Sequence, residues 1–193
     1  MQMHDKLIKL IEVTTPLSGD EILAVETAFE PVLFPKNRII EEAGAVPKYL
    51  YFVVAGFVRL FYYDEQGNEV TSHINCPPGF ITSYFSFVQQ TKAQDNVECV
   101  TECELLRISK ASLDELFEQS EHLKNFSIAI FQESLAYNEK RANELATLSA
   151  EQRYHALLAK SPEILHHVPL QYIASFLGIK PESLSRIRRK ILL

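Results

Sequence analysis

The residues whose types and spacing can do chemistry crowd one end of the chain. Lys180, Glu182, Ser183, Arg186, Arg188 and Arg189 fall close together there. A guanidinium presents a planar fork of donors that matches the two acceptors on a guanine edge, and a carboxylate can accept from a cytosine amino group. Arg186 is the first candidate for the guanine contact and Glu182 for the cytosine contact, with Ser183 beside them. Lys180, Arg188, Arg189 and Gln171 suit phosphate oxygens, which fix a protein's register on a duplex without reading its sequence. The chemistry on offer is recognition of double-stranded DNA.

Such side chains need a support that holds them clear of the protein. Ala174, Gly178, Leu184 and Ile187 follow the spacing Ala-x3-Gly-x5-Leu-x2-Ile. In a helix-turn-helix the small residue allows two helices to cross, and the glycine ends the first helix at positive φ. The two aliphatics seat the second helix, with Ile173, Leu177 and Ile179 filling the shared core. Pro181 fits the first turn of that second helix, where no intrahelical donor is required. Lys180 stands at its expected N-cap, an unusual choice because lysine supplies no acceptor.

Other chemistries find less support. The sequence has no Ser-His-Asp ordering, no glycine loop for phosphates and no metal-ligand spacing, so an enzyme is not expected, nor a metal or other cofactor. His4 and His73 lack companion ligands. Cys76, Cys99 and Cys103 are too few for a disulfide framework. Cys99 and Cys103 could form a thiol sensor, but buried free cysteine is the plainer reading.

Net charge is −6 over 193 residues, an acidic balance for a nucleic-acid binder. It is unevenly spread. From Ser149 onward seven Lys and Arg face three Asp and Glu, whereas the preceding residues carry 12 against 22. A basic end on an acidic body implies that only the end meets a polyanion. No stretch reaches the roughly 18 apolar residues of a membrane span, and the N-terminus lacks the apolar core of a signal peptide. A reducing cytoplasm is the expected setting.

The elements that position the basic end follow from periodicity. Leu7, Ile8, Leu10 and Ile11 predict a short amphipathic helix, and Ser18 with Glu21 makes a capping box opening a second helix over Asp20–Phe29. Between Pro31 and Ser109 short runs rich in Val, Ile, Phe and Tyr alternate with turns. They are 32–34, 49–55, 57–63, 70–74, 97–101 and 104–108. This texture predicts an antiparallel sandwich, with Gly56 and Gly67 at tight reversals. Ser112 and Glu115 predict the cap of a further helix. Residues 123–148 contain no Pro or Gly and predict a helix of about 39 Å. Its first half is apolar on more than one side, so Leu123, Phe126, Ile130 and Tyr137 are candidates for pairing with a second copy. Ser149 and Gln152 cap the next helix, Ser161-Pro162 ends it, and His166-His167 is expected in a loop.

With these segments in place the chain resembles the Crp/Fnr family. The run YLYFVVAGFVRLFYYDEQGNEV resembles that family's sandwich, and IASFLGIKPESLSRIRRKI its DNA-reading unit. The resemblance implies an α+β fold with an N-terminal antiparallel jelly roll, a long dimerisation helix and a C-terminal helix-turn-helix. The domains expected are 1–118, 119–148 and 149–193, with most or all of the family's β-hairpin wing lacking. It implies a homodimer on palindromic half-sites about one DNA turn apart, with RNA polymerase and a small-molecule effector as further partners.

Departures set the expectation for the effector. In cyclic-AMP-binding members Gly-Glu follows the segment matching PPGFI, and an Arg further along holds the cyclic phosphate. Here the dipeptide is Thr82-Ser83, and Lys92 is the only cation between Pro77 and Leu106. Without a charge-assisted partner the phosphate loses a strong contact, so cyclic AMP is not expected to bind. Thr82, Ser83, Ser86 and Gln94 are candidates for lining an altered pocket. Iron–sulfur members use an N-terminal cysteine cluster, and no cysteine precedes Cys76. The competing reading is a small-molecule or cyclic-nucleotide module with a vestigial DNA-binding tail.

Overall fold

The computed structural model describes residues 3–191, with side chains to Lys190. The outermost residues of the expected first and last domains lie outside that range. One four-stranded sheet runs β1 (Glu30–Phe34), β8 (Cys103–Ser109), β3 (Tyr49–Ala55), β6 (Gly79–Ile81). The other runs β2 (Arg38–Glu41), β7 (Asn96–Cys99), β4 (Val58–Tyr63), β5 (Glu69–Asn75). All the pairings are antiparallel. Val53, Val58, Val97, Cys99 and Leu105 pack between the sheets.

The central strands of the first sheet, β8 and β3, are buried on both faces. Its other side meets α1 (Met3–Glu12), α2 (Gly19–Ala28), α4 (Lys110–Gln119) and the start of α5 (Glu121–Thr147), through Leu7, Val25, Phe52, Leu106, Leu116 and Phe126. Burial on both faces explains why Tyr49–Ala55 reads as a continuous apolar run rather than an alternation. At the β3–β4 reversal Gly56 adopts φ +90°, and a Cβ there would stand 2.4 Å from the Glu102 carbonyl oxygen. Only glycine meets both conditions.

The capping boxes at Ser18/Glu21 and Ser149/Gln152 form as expected. The third does not. Helix α4 begins at Lys110, and Ser109, still extended at the end of β8, caps it by accepting from the Ser112 N–H at 3.1 Å. Ser112 is therefore inside the first turn. His166 and His167 belong not to a loop but to a short helix, α7 (Ile164–His167), where the His167 ring stacks on Phe57 at 5.2 Å. Strands β2 and β6 and the short helix α3 (Tyr84–Gln89) were not anticipated.

Two contacts fix the long helix at its ends. Glu21 Oε2 accepts the Ser18 N–H at 2.9 Å, and Oε1 accepts from the Ser120 hydroxyl and lies 3.1 Å from His122 Nδ1. These bonds, the Ser120 one foremost, hold the Glu21 carboxyl at about 2 and tie the start of α5 to α2. At the far end Arg153, from α6 (Ala150–Lys160), donates to the carbonyls of Leu148 at 2.6 Å and Leu177 at 3.1 Å. A guanidinium there neutralises the partial negative charge of exposed helix-end carbonyls.

The second sheet carries an unusual residue on its outer face. Val58 and Leu60 turn into the inter-sheet core, so Arg59 between them points the other way. It is only 1 % exposed. Its cross-strand neighbour on β7, Glu98, accepts from Nε at 2.6 Å. Glu69 accepts at 2.5 Å and the Thr71 hydroxyl at 3.2 Å, both from β5. What covers this cluster is α8 (Leu170–Phe176), whose Tyr172 ring lies 3.5 Å from the guanidinium carbon. Alongside, the Ser175 hydroxyl accepts the Thr71 backbone N–H at 2.8 Å. Strand β5 is the open edge of its sheet, and α8 covers an edge whose donors would otherwise be unpaired. One hydrophobic cluster crosses this seam, joining Phe57, Ile74 and Val100 of the sandwich to Tyr154, Ile164, Phe176 and Leu184.

Candidate nucleic-acid interface

Helix α8 ends in a tight reversal. Gly178 takes φ +67°, its N–H donates to the Ser175 carbonyl at 2.9 Å, and the Ile179 N–H donates to the Ala174 carbonyl at 3.0 Å. This pair of bonds satisfies two orphaned helix-end carbonyls and turns the chain for the next helix. That helix, α9 (Pro181–Ile191), starts at the proline as its fixed φ favours. Ala174, Ile173 and Leu184 are fully buried and Leu177 nearly so, with Ile179 and Ile187 partly buried against them. The helix-turn-helix spacing read from the sequence is thus realised in a packed pair of helices.

The opposite side of α9 carries the predicted contact residues. Lys180, Glu182, Arg186 and Arg189 are exposed, Ser183 and Arg188 half-buried, and Gln171 is exposed at the start of α8. Among the described residues none of these four cations has an ion-pair partner. The guanidinium groups are neither locked inward nor neutralised. They form a ridge of unpaired positive charge on a protein that is otherwise acidic, which is the footprint of a polyanion-binding surface.

The long helix was expected to offer Leu123, Phe126, Ile130 and Tyr137 to a second copy. Leu123 and Phe126 are buried in the chain's own core, Phe126 lying 6.4 Å from the Phe80 ring, and Ile130 packs partly on the same cluster. Tyr137 meets His73 edge-on at 5.6 Å. The large apolar residues that α5 leaves exposed are Ile128, Leu135 and Leu145, with Phe131 half-buried.

Thr82, Ser83 and Ser86 are buried, while Gln94 is exposed. A carboxyl group that sequence reading missed lies against Thr82 and Ser83. Glu41, at the end of β2 and 7 % exposed, takes the Ser83 N–H on Oε2 at 3.1 Å and places Oε1 2.9 Å from the Thr82 hydroxyl. That hydroxyl also lies 3.0 Å from the Tyr49 carbonyl oxygen. A hydroxyl has one proton and cannot donate to both. A protonated Glu41 resolves the conflict by donating to Thr82, which donates to Tyr49. Burial pushes the carboxyl up to about 7, against the Ser83 and Thr82 bonds. The Ser86 hydroxyl donates to the Lys92 carbonyl at 3.3 Å.

The remaining reactive side chains fit structural roles. Cys99 and Cys103 are both buried, and the Cys103 sulfur lies 3.3 Å from the Thr101 carbonyl oxygen and 3.5 Å from that of Phe57, either of which can accept its one proton. No group of three or more His, Cys, Asp or Glu among the described residues could hold a metal ion. No helix among them is long and apolar enough to cross a membrane.

The signals for the missed residues were weak. Arg59 interrupts an apolar strand, which marks a buried cation in need of partners, but nothing local names them. Glu41 ends a strand of four residues with only two aliphatics.

Comparison with known proteins agrees with this architecture. Residues 31–120 match the model of the cyclic nucleotide-binding domain. The chain is 25 % identical over 206 residues, covering 96 % of itself and 90 % of the relative, to the cAMP-activated global transcriptional regulator CRP of Haemophilus influenzae. Among solved structures it superposes on FixK2 from Bradyrhizobium japonicum with TM-score 0.73 at 16 % identity, covering 84 % of each chain. The global regulator CLP of Xanthomonas campestris gives TM-score 0.70 at 22 % identity, covering 91 % of this chain and 92 % of that one. Residues 31–120 thus match the cyclic nucleotide-binding domain, and the chain shares with these structures a fold in which a sandwich is joined through a long helix to a helix-turn-helix.

Proposed function

We propose that this protein is a sequence-specific DNA-binding transcription regulator that acts as a homodimer and does not use cyclic AMP. The observation that carries the reading is the unpaired cationic ridge of α9 over a fully packed helix-turn-helix. Arg186 contacts guanine, Glu182 a cytosine amino group, and Lys180, Arg188, Arg189 and Gln171 hold phosphates, with Ser183 at the same base edges. Two copies pair along α5 through Ile128, Phe131 and Leu135, extending from Ile130 toward Tyr137. That pairing places two recognition helices on successive turns of the major groove.

Independence from cyclic AMP rests on Glu41. In the relatives that bind the nucleotide, this pocket receives a phosphate. Here Thr82 and Ser83 are already satisfied by a carboxyl group, and a phosphate beside it would meet an acceptor or a like charge. Between Pro77 and Leu106 the only cation is Lys92, which is exposed.

Binding to short random-sequence duplexes, followed by fluorescence anisotropy, weakens linearly in log affinity against log salt. Arg189→Gln lowers that slope by about one, as expected for one lost phosphate contact. Arg186→Ala leaves random-duplex affinity nearly unchanged and costs roughly 1–3 kcal/mol on a site enriched by selection from random duplexes. No binding at low salt would remove this reading. Calorimetric titration with cyclic AMP shows no saturable heat, and saturable binding would contradict the role given to Glu41.

Glu41 also predicts a pH dependence of stability. The folded chain keeps its proton up to about pH 7, whereas the unfolded chain releases it near 4.5. This contribution is therefore complete below pH 4.5 and lost as pH rises through 7. Glu41→Gln, neutral throughout, removes that part of the slope of urea midpoint against pH. An unchanged slope would show that the carboxyl titrates normally.

A further inference from the structure

Glu41 sits beside the first turn of α3. Its Oε2 accepts the N–H of Ser83, the residue just before that helix, whose own side chain gives the helix no cap. The next residue, Tyr84, places its ring 4.9 Å from that of Phe131 on α5. Further along, Phe87 is fully buried in the core that holds Phe52 and Leu106. The start of α3 is thus held at Glu41, leans on the long helix through Tyr84 and is anchored behind by Phe87. From Val70 to Thr91 the sequence has no Asp, Glu, Lys or Arg. Nothing on β6 or α3 can therefore neutralise a charge on Glu41.

The other elements around it offer no neutralising charge either. On β2 Arg38 is exposed, and Glu42 follows Glu41 directly, exposed as well. On β3 the Tyr51 phenol is pushed up by burial and by Glu41, and the Tyr49 ring carries the Arg107 guanidinium of β8, which also pairs with Glu30. Ahead of β7, the Asp95 carboxyl is raised by burial, and its backbone carbonyl lies 3.5 Å from the Ser83 hydroxyl. On β7 Glu98 is bound to Arg59 and Cys99 is a buried thiol. Lys92 is exposed, and the Tyr84 phenol is raised by burial. An ionised Glu41 takes the single Thr82 proton for itself, and the Tyr49 carbonyl loses that donor. The charge then stands 7 % exposed with no cation to pair it. A buried charge without a partner is costly, and water reaching it is the available relief. Water reaches it if the junction at Thr82–Tyr84 lifts.

We propose that Glu41 is a proton-operated latch on the first turn of α3. Neutral, it holds Thr82 and Ser83 in place and keeps Tyr84 on Phe131. Ionised, it releases that turn, which pivots on the buried Phe87 and parts the two rings. The direction follows from linkage. The latched form binds the proton up to about pH 7, whereas a released, hydrated carboxyl lets it go near 4.5. Each pH unit above 4.5 therefore favours release further, and the gain ends near pH 7 at roughly 300-fold. Phe131 also belongs to the face assigned above to pairing, so the latch gives proton concentration a route to that face. This consequence rests on the dimer reading, and the latch itself does not.

The chain contains no tryptophan, so Tyr84→Trp in the full chain makes a single fluorescent reporter on the Phe131 contact. Its emission moves to longer wavelength as pH rises toward 7 and levels off above. Glu41→Gln in the same background keeps the short-wavelength emission throughout, because the amide donates to Thr82 and accepts from Ser83 at every pH. The six histidines titrate in a similar range. A shift that persists in Glu41→Gln would belong to one of them and overturn the proposal. Asp95→Asn retains the shift, and its loss there would assign the proton to Asp95 instead. A transition that moves with protein concentration would report pairing rather than a latch, and would equally count against it. Circular dichroism checks that Glu41→Gln is folded. If it is not, carbon NMR of the glutamate carboxyl groups in the Tyr84→Trp chain decides. One carboxyl titrates well above 4.5 in step with the emission, and the absence of any such group would overturn the proposal. None of these readouts involves DNA or a second copy, so failure here is distinct from failure of the DNA-binding and dimer readings.

Discussion

The arrangement of this protein turns on one buried guanidinium. Removing a charge from water costs several kcal/mol, and the cost is met only by partners that satisfy its donors. Arg59 finds acceptors on β7 and β5 and an aromatic ring on α8. The strand partners would fix it within the sheet alone. The Tyr172 ring is what brings the helix-turn-helix into the account, because it closes the cluster from solvent only while α8 stays on β5. Breaking the seam would expose the apolar cluster shared with Ile74 and Val100 and free the Thr71 N–H from Ser175. The reading head is therefore held by the sandwich itself, not merely tethered to it by α5.

That placement packs the helix-turn-helix directly on β5. A second buried polar cluster lies at the end of β2. Glu41 takes the Ser83 N–H and meets the Thr82 hydroxyl, so these groups are partnered within the chain itself.

What could be read from the sequence was what is local. Ala174, Gly178, Leu184 and Ile187 lie within four helical turns, and each position has a steric reason, so the paired helices could be placed without coordinates. The strand runs were legible because Val, Ile, Phe and Tyr alternate with turn residues. Strands β2 and β6 escaped because four and three residues carry too little pattern, and β6 starts inside the Pro77-Pro78-Gly79 turn signal. The cap of α4 was misplaced since Ser109 and Ser112 are both good caps, and only the end of β8 decides between them. The pairings of Arg59 with Tyr172 and of Glu41 with Ser83 depend on which surfaces meet in three dimensions. No spacing rule connects segments so far apart, and the inward face of α5 was hidden for the same reason.

The claim that Arg59 joins the sandwich to the reading head is tested most directly by a double-mutant cycle. Arg59→Leu, Tyr172→Leu and the double variant are compared with the parent by urea unfolding. If the guanidinium and the ring stabilise one another across the seam, the double variant loses less than the two single variants together, by about 1–2 kcal/mol. Losses that add to within about 0.5 kcal/mol would mean the two side chains do not act on each other, and the seam would have to be explained without them.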